Sequence, residues 1–113
     1  MSESRRSDLD DLRRAIRAFG EERDWTGFHT PKNLVMALTG EVGELNEIFQ
    51  WLSEDEAASV MSTDEAEHVR EELADVMIYL IRLADVLGVD FERAVRTKMA
   101  RNAVRYPAPG AAG

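Results

Sequence analysis

Two pairs of acids are the residues in this sequence best placed for chemistry: Glu41-x-x-Glu44 and Glu72-x-x-Asp75. Residues three apart are neighbours on a helix surface, so each pair presents two carboxylates side by side. If the two helices pack together, all four acids can converge on one point. Four ionised carboxylates so placed repel and shift one another's pKa values. Divalent cations resolve that repulsion, and an all-oxygen donor set selects Mg²⁺, with Mn²⁺ as a substitute, over Zn²⁺. Mg²⁺ characteristically bridges carboxylates to substrate phosphates, polarises phosphoryl oxygens and generates a water nucleophile. The pattern points to phosphate chemistry.

Acids three apart also occur on ordinary solvated helix faces, and Glu47, Glu54, Glu56 and Glu71 fit that description. Glu41 and Glu72 differ because both abut apolar stripes, where a carboxylate is costly unless compensated. Gly40 and Gly43 flank the first pair, and each costs roughly 1 kcal/mol against Ala in a helix interior. A di-iron carboxylate site would need Glu-x-x-His on two helices. Only Glu65-x-x-His68 offers it, so iron is discounted and His68 is assigned to the surface.

The elements that must position these acids are helices. Ser7 caps a first helix over Asp8–Arg23, with Leu9, Leu12, Ile16 and Phe19 at helical spacing and Gly20 near its end. Asp24 to His29 form a loop rich in rings. They either plug the end of a bundle or make a wall on which nucleobases stack, and His29 is the better histidine for substrate contact. Thr30-Pro31 opens a second helix running to Leu52, with Leu34, Leu38, Val42, Leu45, Phe49 and Leu52 within an arc of roughly 80°. An acidic connection follows, with a helical turn around Ala57–Met61. Ser62 and Glu65 fit a capping box for a third helix ending near Gly88. Asp90 caps a fourth, over Phe91–Val104. The spacing predicts an all-α, four-helix fold with no strand, one domain over 1–106 and a flexible tail over 107–113.

On the third helix, Val69, Leu73, Val76, Met77, Leu80, Leu83, Ala84 and Leu87 form a core stripe. Ala74, Ile78, Ile81 and Val86 extend apolar character around most of the circumference. Such a helix is central or covered by another subunit, so a homo-oligomer, dimer or tetramer, is expected. Glu72, Asp75 and Tyr79 fall within an arc of roughly 60°, with Arg82 just beyond.

The absence of Cys excludes disulfides and thiolate metal sites, and two His make a zinc site improbable. A net charge of −8 disfavours binding to nucleic-acid polymers, though not to small phosphates bridged by a cation. No secretory signal is visible, and the apolar run Val76–Ile81 is far too short to span a membrane. A cytoplasmic protein is the expectation.

Three stretches in order, Glu41-Val-Gly-Glu44-Leu-Asn-Glu-Ile-Phe-Gln-Trp51, Glu71-Glu72-Leu-Ala-Asp75-Val-Met-Ile-Tyr79-Leu and Lys98-Met-Ala-Arg-Asn102-Ala-Val-Arg-Tyr106-Pro107, resemble the MazG-like all-α nucleotide pyrophosphohydrolases. Within that family the chain is most similar to the dCTP pyrophosphatase branch, over about Leu12 to Pro107. The resemblance implies Mg²⁺-dependent cleavage of a nucleoside triphosphate to monophosphate and pyrophosphate, clearing unwanted deoxycytidine-type or modified nucleotides. It implies that Glu41, Glu44, Glu72 and Asp75 are the catalytic metal-binding acids. Trp25, Phe28, His29, Trp51 and Tyr79 would form the base and sugar pocket. Lys98, Asn102 and Tyr106 would belong to the segment that closes the site, with Lys98 and Arg105 for phosphate oxygens; the alternative is that Lys98 and Arg105 are solvated and Tyr106-Pro107 is a helix stop. One departure stands out: the dCTP-type pocket takes a histidine from the first helix, where this chain has none and Ile16 lies near that position. The competing reading is a non-catalytic helical module whose acids bind metal or assist assembly.

Overall fold

The computed structural model describes residues 7–110; the first six residues of the expected domain and the last three of the expected tail lie outside the described residues. The described chain is all-helical: α1 (Asp8–Glu22), α2 (Pro31–Phe49), a short α3 (Glu54–Ala58), α4 (Ala66–Val86) and α5 (Phe91–Arg105). Single 3₁₀ turns lie at Thr26–Phe28 and Val60–Ser62. Four of these helices are the expected long ones.

Local chemistry sets their ends. Ser7 Oγ accepts from the Asp10 N–H, Thr30 Oγ1 from Asn33 and an Asp90 carboxylate oxygen from Arg93, so each of α1, α2 and α5 starts on a side-chain cap. α1 and α4 end in the same Schellman geometry. Trp25 N–H donates to the Gly20 carbonyl and Asp24 N–H to that of Glu21; Val89 and Gly88 repeat this to Ala84 and Asp85. The left-handed position is Gly88 (φ 72°) in α4 but Asp24 (φ 57°) in α1. Asp tolerates that region better than most residues, and the turn swings the ring-rich loop back across α1.

Several boundaries differ from expectation, among them the helical turn expected around Ala57–Met61, which is a helix over Glu54–Ala58 followed by a 3₁₀ turn over Val60–Ser62. α2 stops at Phe49, not Leu52, because Ser53 is extended (φ −71°, ψ 168°) as the N-cap of α3, in a capping box with Glu56. No Ser62–Glu65 box forms. Ser62 belongs to a 3₁₀ turn, and the Thr63 hydroxyl accepts from the Glu65 N–H ahead of α4.

α2 and α4 form the principal packed pair, with α1 laid against α4. Leu34, Val60, Val69, Ile81 and Ala84 are the buried apolar residues. Of the stripe assigned to the core of α4, Val69 and Ala84 are buried and Val76, Leu80 and Leu83 half-buried, while Leu73, Met77 and Leu87 face outward. Leu73 is 53% exposed and Leu87 56%, while Glu72 and Arg82 are buried. A helix apolar around most of its surface cannot announce which face its own chain will cover. α5 carries no buried residue. The radius of gyration is 17.7 Å, against about 13 Å for a compact chain of this length. Among the described residues, no helix is long and apolar enough to cross a membrane.

Candidate active site

Glu41 on α2 and Glu72 and Asp75 on α4 are brought together by the packing of those two helices. Each offers a carboxylate oxygen within 4.8 Å of the others. Glu72 is buried, while Glu41 and Asp75 are half-buried. The Oε1 atoms of Glu41 and Glu72 are buried with no hydrogen-bond partner among the described residues. Buried polar atoms are ordinarily satisfied, so two orphaned carboxylate oxygens facing a third acid fit a cation. Burial, then the carboxyl groups of Glu72 and Glu44 and the charge of Asp75, push the Glu41 carboxyl up to about 7. Glu44 is thus a neighbour of Glu41, exposed and outside the three-acid cluster.

His68 touches this cluster. Its Nδ1 lies 3.2 Å from Glu65 Oε2 and its Nε2 3.4 Å from Glu72 Oε2. Glu65 first, then Glu72, raises its pKa. The assignment of His68 to the surface holds for its exposure but misses this contact, which its i, i+4 spacing to Glu72 could have signalled.

Beside the acids lies a cavity of about 820 Å³ between α1, the ring-rich loop, α2 and α4. Its walls include Phe19, Trp25, Phe28, His29, Tyr79 and, at the end nearest the cluster, Asp75. The size and lining suit a small ligand with an apolar face. Trp25 stacks edge-on against Phe19 (5.6 Å between centroids) and His29 (6.1 Å), which holds the loop rings as a set. The rings line a cavity rather than fill a core. Ile16 is in the wall, at the departure noted in the sequence.

Asn33 and Arg82 also line the cavity and were not among the expected site residues. Arg82 is 5% exposed. Its Nη1 donates to Asp85 Oδ2 and its Nε to His29 Nδ1, both at 3.1 Å. The signal was its position just beyond the arc of Glu72, Asp75 and Tyr79. Asp85 also accepts from Arg17 at 2.8 Å and from Arg13 at 3.3 Å. The Arg17 hydrogen bond is the main reason its carboxyl lies below the usual range.

The remaining expected residues stand apart within one chain. Trp51, 86% exposed, follows the end of α2 and does not line the cavity. Lys98, Asn102 and Arg105 are exposed on α5, and Tyr106 caps its C-terminus. Gly40 and Gly43 leave open space: a Cβ on either would meet nothing within 4 Å.

Comparison with known proteins places the chain among relatives of one family. Residues 37–113 match the model of the MazG-like family. The chain is 50% identical over 100 residues to dCTP pyrophosphatase 1 of Rattus norvegicus and 50% over 101 residues to that of Homo sapiens. Each match covers 88% of this chain but 59% of the relative, so the chain spans well under two thirds of their length. The crystal structure of a pyrophosphatase from Archaeoglobus fulgidus is similar at a TM-score of 0.82 and 42% identity, over 91% of this chain and 95% of that one.

Proposed function

The chain belongs to the MazG-like family, and from that premise we propose that it hydrolyses a nucleoside triphosphate, dCTP or a modified dCTP, to the monophosphate and pyrophosphate. The observation that carries this reading is the double position of Asp75, a member of the carboxylate cluster and of the aromatic cavity wall. A base held among the rings would have its phosphates beside the acids. The dCTP pyrophosphatase 1 relatives support the choice of base.

In this reading Trp25, Phe28 and Tyr79 take the faces of the base, since π-surfaces stack on nucleobases. Glu41, Glu72 and Asp75, with Glu44 beside them, would hold Mg²⁺ or Mn²⁺, which when bound neutralises the acids and polarises phosphoryl oxygens. A carboxylate of the cluster orients the water that attacks the α-phosphorus, and pyrophosphate leaves. Much of the acceleration comes from fixing the triphosphate in line with that water. Lys98 and Arg105 serve the phosphates, Asn102 and Tyr106 help to close the site, and Trp51 serves the base in the assembled protein. A homo-oligomer, dimer or tetramer, is supported by the exposed Leu73, Met77 and Leu87 of α4 and Met99 of α5. A cytoplasmic location, with the free nucleotide pool, goes with this reading.

Pyrophosphate release from a panel of canonical and modified nucleoside triphosphates with Mg²⁺ tests it. Turnover should be greatest with deoxycytidine-type substrates, and Glu41→Gln and Asp75→Asn should abolish it with helicity unchanged. No turnover of any nucleotide would leave a helical module whose acids bind metal without catalysis.

A further inference from the structure

Arg82 is a charged residue buried beside the aromatic cavity, and the reaction proposed above gives it no part. A guanidinium can only donate hydrogen bonds. Its Nε lies 3.1 Å from His29 Nδ1, so that nitrogen must be the acceptor and carry no proton. The neutral imidazole then bears its single proton on Nε2. Burial first, and then the Arg82 charge, hold His29 below its ordinary pKa, in keeping with a neutral ring. No described residue hydrogen-bonds to Nε2, although His29 lines the cavity.

The guanidinium is itself fixed. Asp85, whose side chain is 6% exposed, accepts from Arg82 Nη1 while it also engages Arg13 and Arg17. On the other side, a Cβ on Gly20 would lie 3.3 Å from His29 Cε1, so the ring rests against the α1 backbone. The His29 backbone N–H donates to the carbonyls of Trp25 and Thr26. Ring position and ring tautomer are both set before any ligand arrives.

We propose that Arg82 is a positioning residue that locks His29 as the Nε2–H tautomer, a hydrogen-bond donor to the base in the aromatic cavity. The cavity then selects a base edge that presents an acceptor, a ring carbonyl oxygen or an unprotonated ring nitrogen. It disfavours an edge that presents an amino group at that point, because two donors would face each other. This inference rests on the nucleotide reading for its ligand but not for the tautomer itself.

The test reads the tautomer directly. With only two histidines in the chain, long-range ¹H–¹⁵N spectra of the imidazoles assign His29 against His68. The wild-type protein should show Nε2–H at His29, and Arg82→Met should show a mixture of tautomers. Arg82→Lys, which keeps a charge for Asp85 but lacks the planar fork, should also lose the lock. The nucleotide product dCMP should shift the His29 Nε2 resonance and leave that of His68 in place. With dCTP and Mg²⁺, Arg82→Met should raise KM roughly three- to tenfold, the range for one lost hydrogen bond, with kcat within about twofold. His29→Phe should raise KM comparably, and the double variant no further, since one residue acts through the other. A wild-type Nδ1–H tautomer, an unchanged tautomer in Arg82→Met, or bound dCMP that leaves Nε2 unmoved would overturn the assignment. Absence of turnover with every nucleotide would instead overturn the reaction, while the wild-type spectrum would still decide the tautomer.

Discussion

The imidazole of His29 rests on the backbone of Gly20: a Cβ at position 20 would lie 3.3 Å from its Cε1 and 3.5 Å from its Nδ1. Gly20 lies inside α1, two residues before its end, where Ala would favour the helix by about 0.8–1 kcal/mol. Gly20→Ala should therefore change stability little, the helical gain offsetting the tighter contact. The ring must shift by a few tenths of an ångström. KM for dCTP should rise severalfold while the denaturation midpoint moves little; an unchanged KM would mean that the ring position is not critical.

The Glu41 carboxyl titrates at about 7 in the folded chain against an ordinary 4.5. The folded state thus holds this proton more tightly than the unfolded one. The resulting stabilisation is fully present below pH 4.5 and is lost as pH rises through about 7. Melting of the metal-free protein should show a greater loss between about pH 5 and pH 8 in the wild type than in Glu41→Gln. Mg²⁺ should raise the melting temperature at about pH 8 in the wild type, since a ligand specific to the folded state stabilises it, and far less in Glu41→Gln. Parallel pH curves for the two proteins would contradict the burial of this acid.

Asp85 joins α1 to α4 through Arg13, Arg17 and Arg82. Removing one partner of a buried pair leaves the other charge uncompensated, at a cost of about 3–5 kcal/mol. Asp85→Asn should approach that loss in a urea titration, because Arg82 has no other carboxylate partner among the described residues. With its carboxyl held below the ordinary 3.8, Asp85 stabilises the wild type at neutral pH, and this contribution disappears as acid protonates it. The acid limb of the stability curve should be shallower in Asp85→Asn.

Leu73 and Met77 face outward on α4, 53% and 38% exposed. If a second copy covers them, Leu73→Asp with Met77→Asp should disrupt the assembly. Light scattering should then give a mass near the 12.7 kDa of one chain, where the wild type gives a multiple of it. A wild-type mass of 12.7 kDa would overturn the oligomer.

Much of the fold was legible in the sequence because helix signals are local. Ser7, Thr30 and Asp90 cap where expected, and the apolar spacing marks all four long helices. The three-residue spacing of the acids and the ring content of the 24–29 loop pointed to the carboxylate cluster and the cavity wall. Side-chain competition was harder to read. Ser53, by starting α3, shortened α2, and Thr63 displaced Ser62 ahead of α4.

The sequence alone determined the helices and the spacing of their acids, since both follow from residue type at short range. Only the tertiary structure decided which face of α4 is buried. Apolar residues surround that helix, and its packing against α2 and α1 selected the side bearing Glu72 and Arg82 while leaving Leu73 outside. That packing set three acids within 4.8 Å of one another. It also brought together His29 and Arg82, 53 positions apart in the chain. A hydrogen bond across that separation depends on how three elements meet, and no local spacing encodes it.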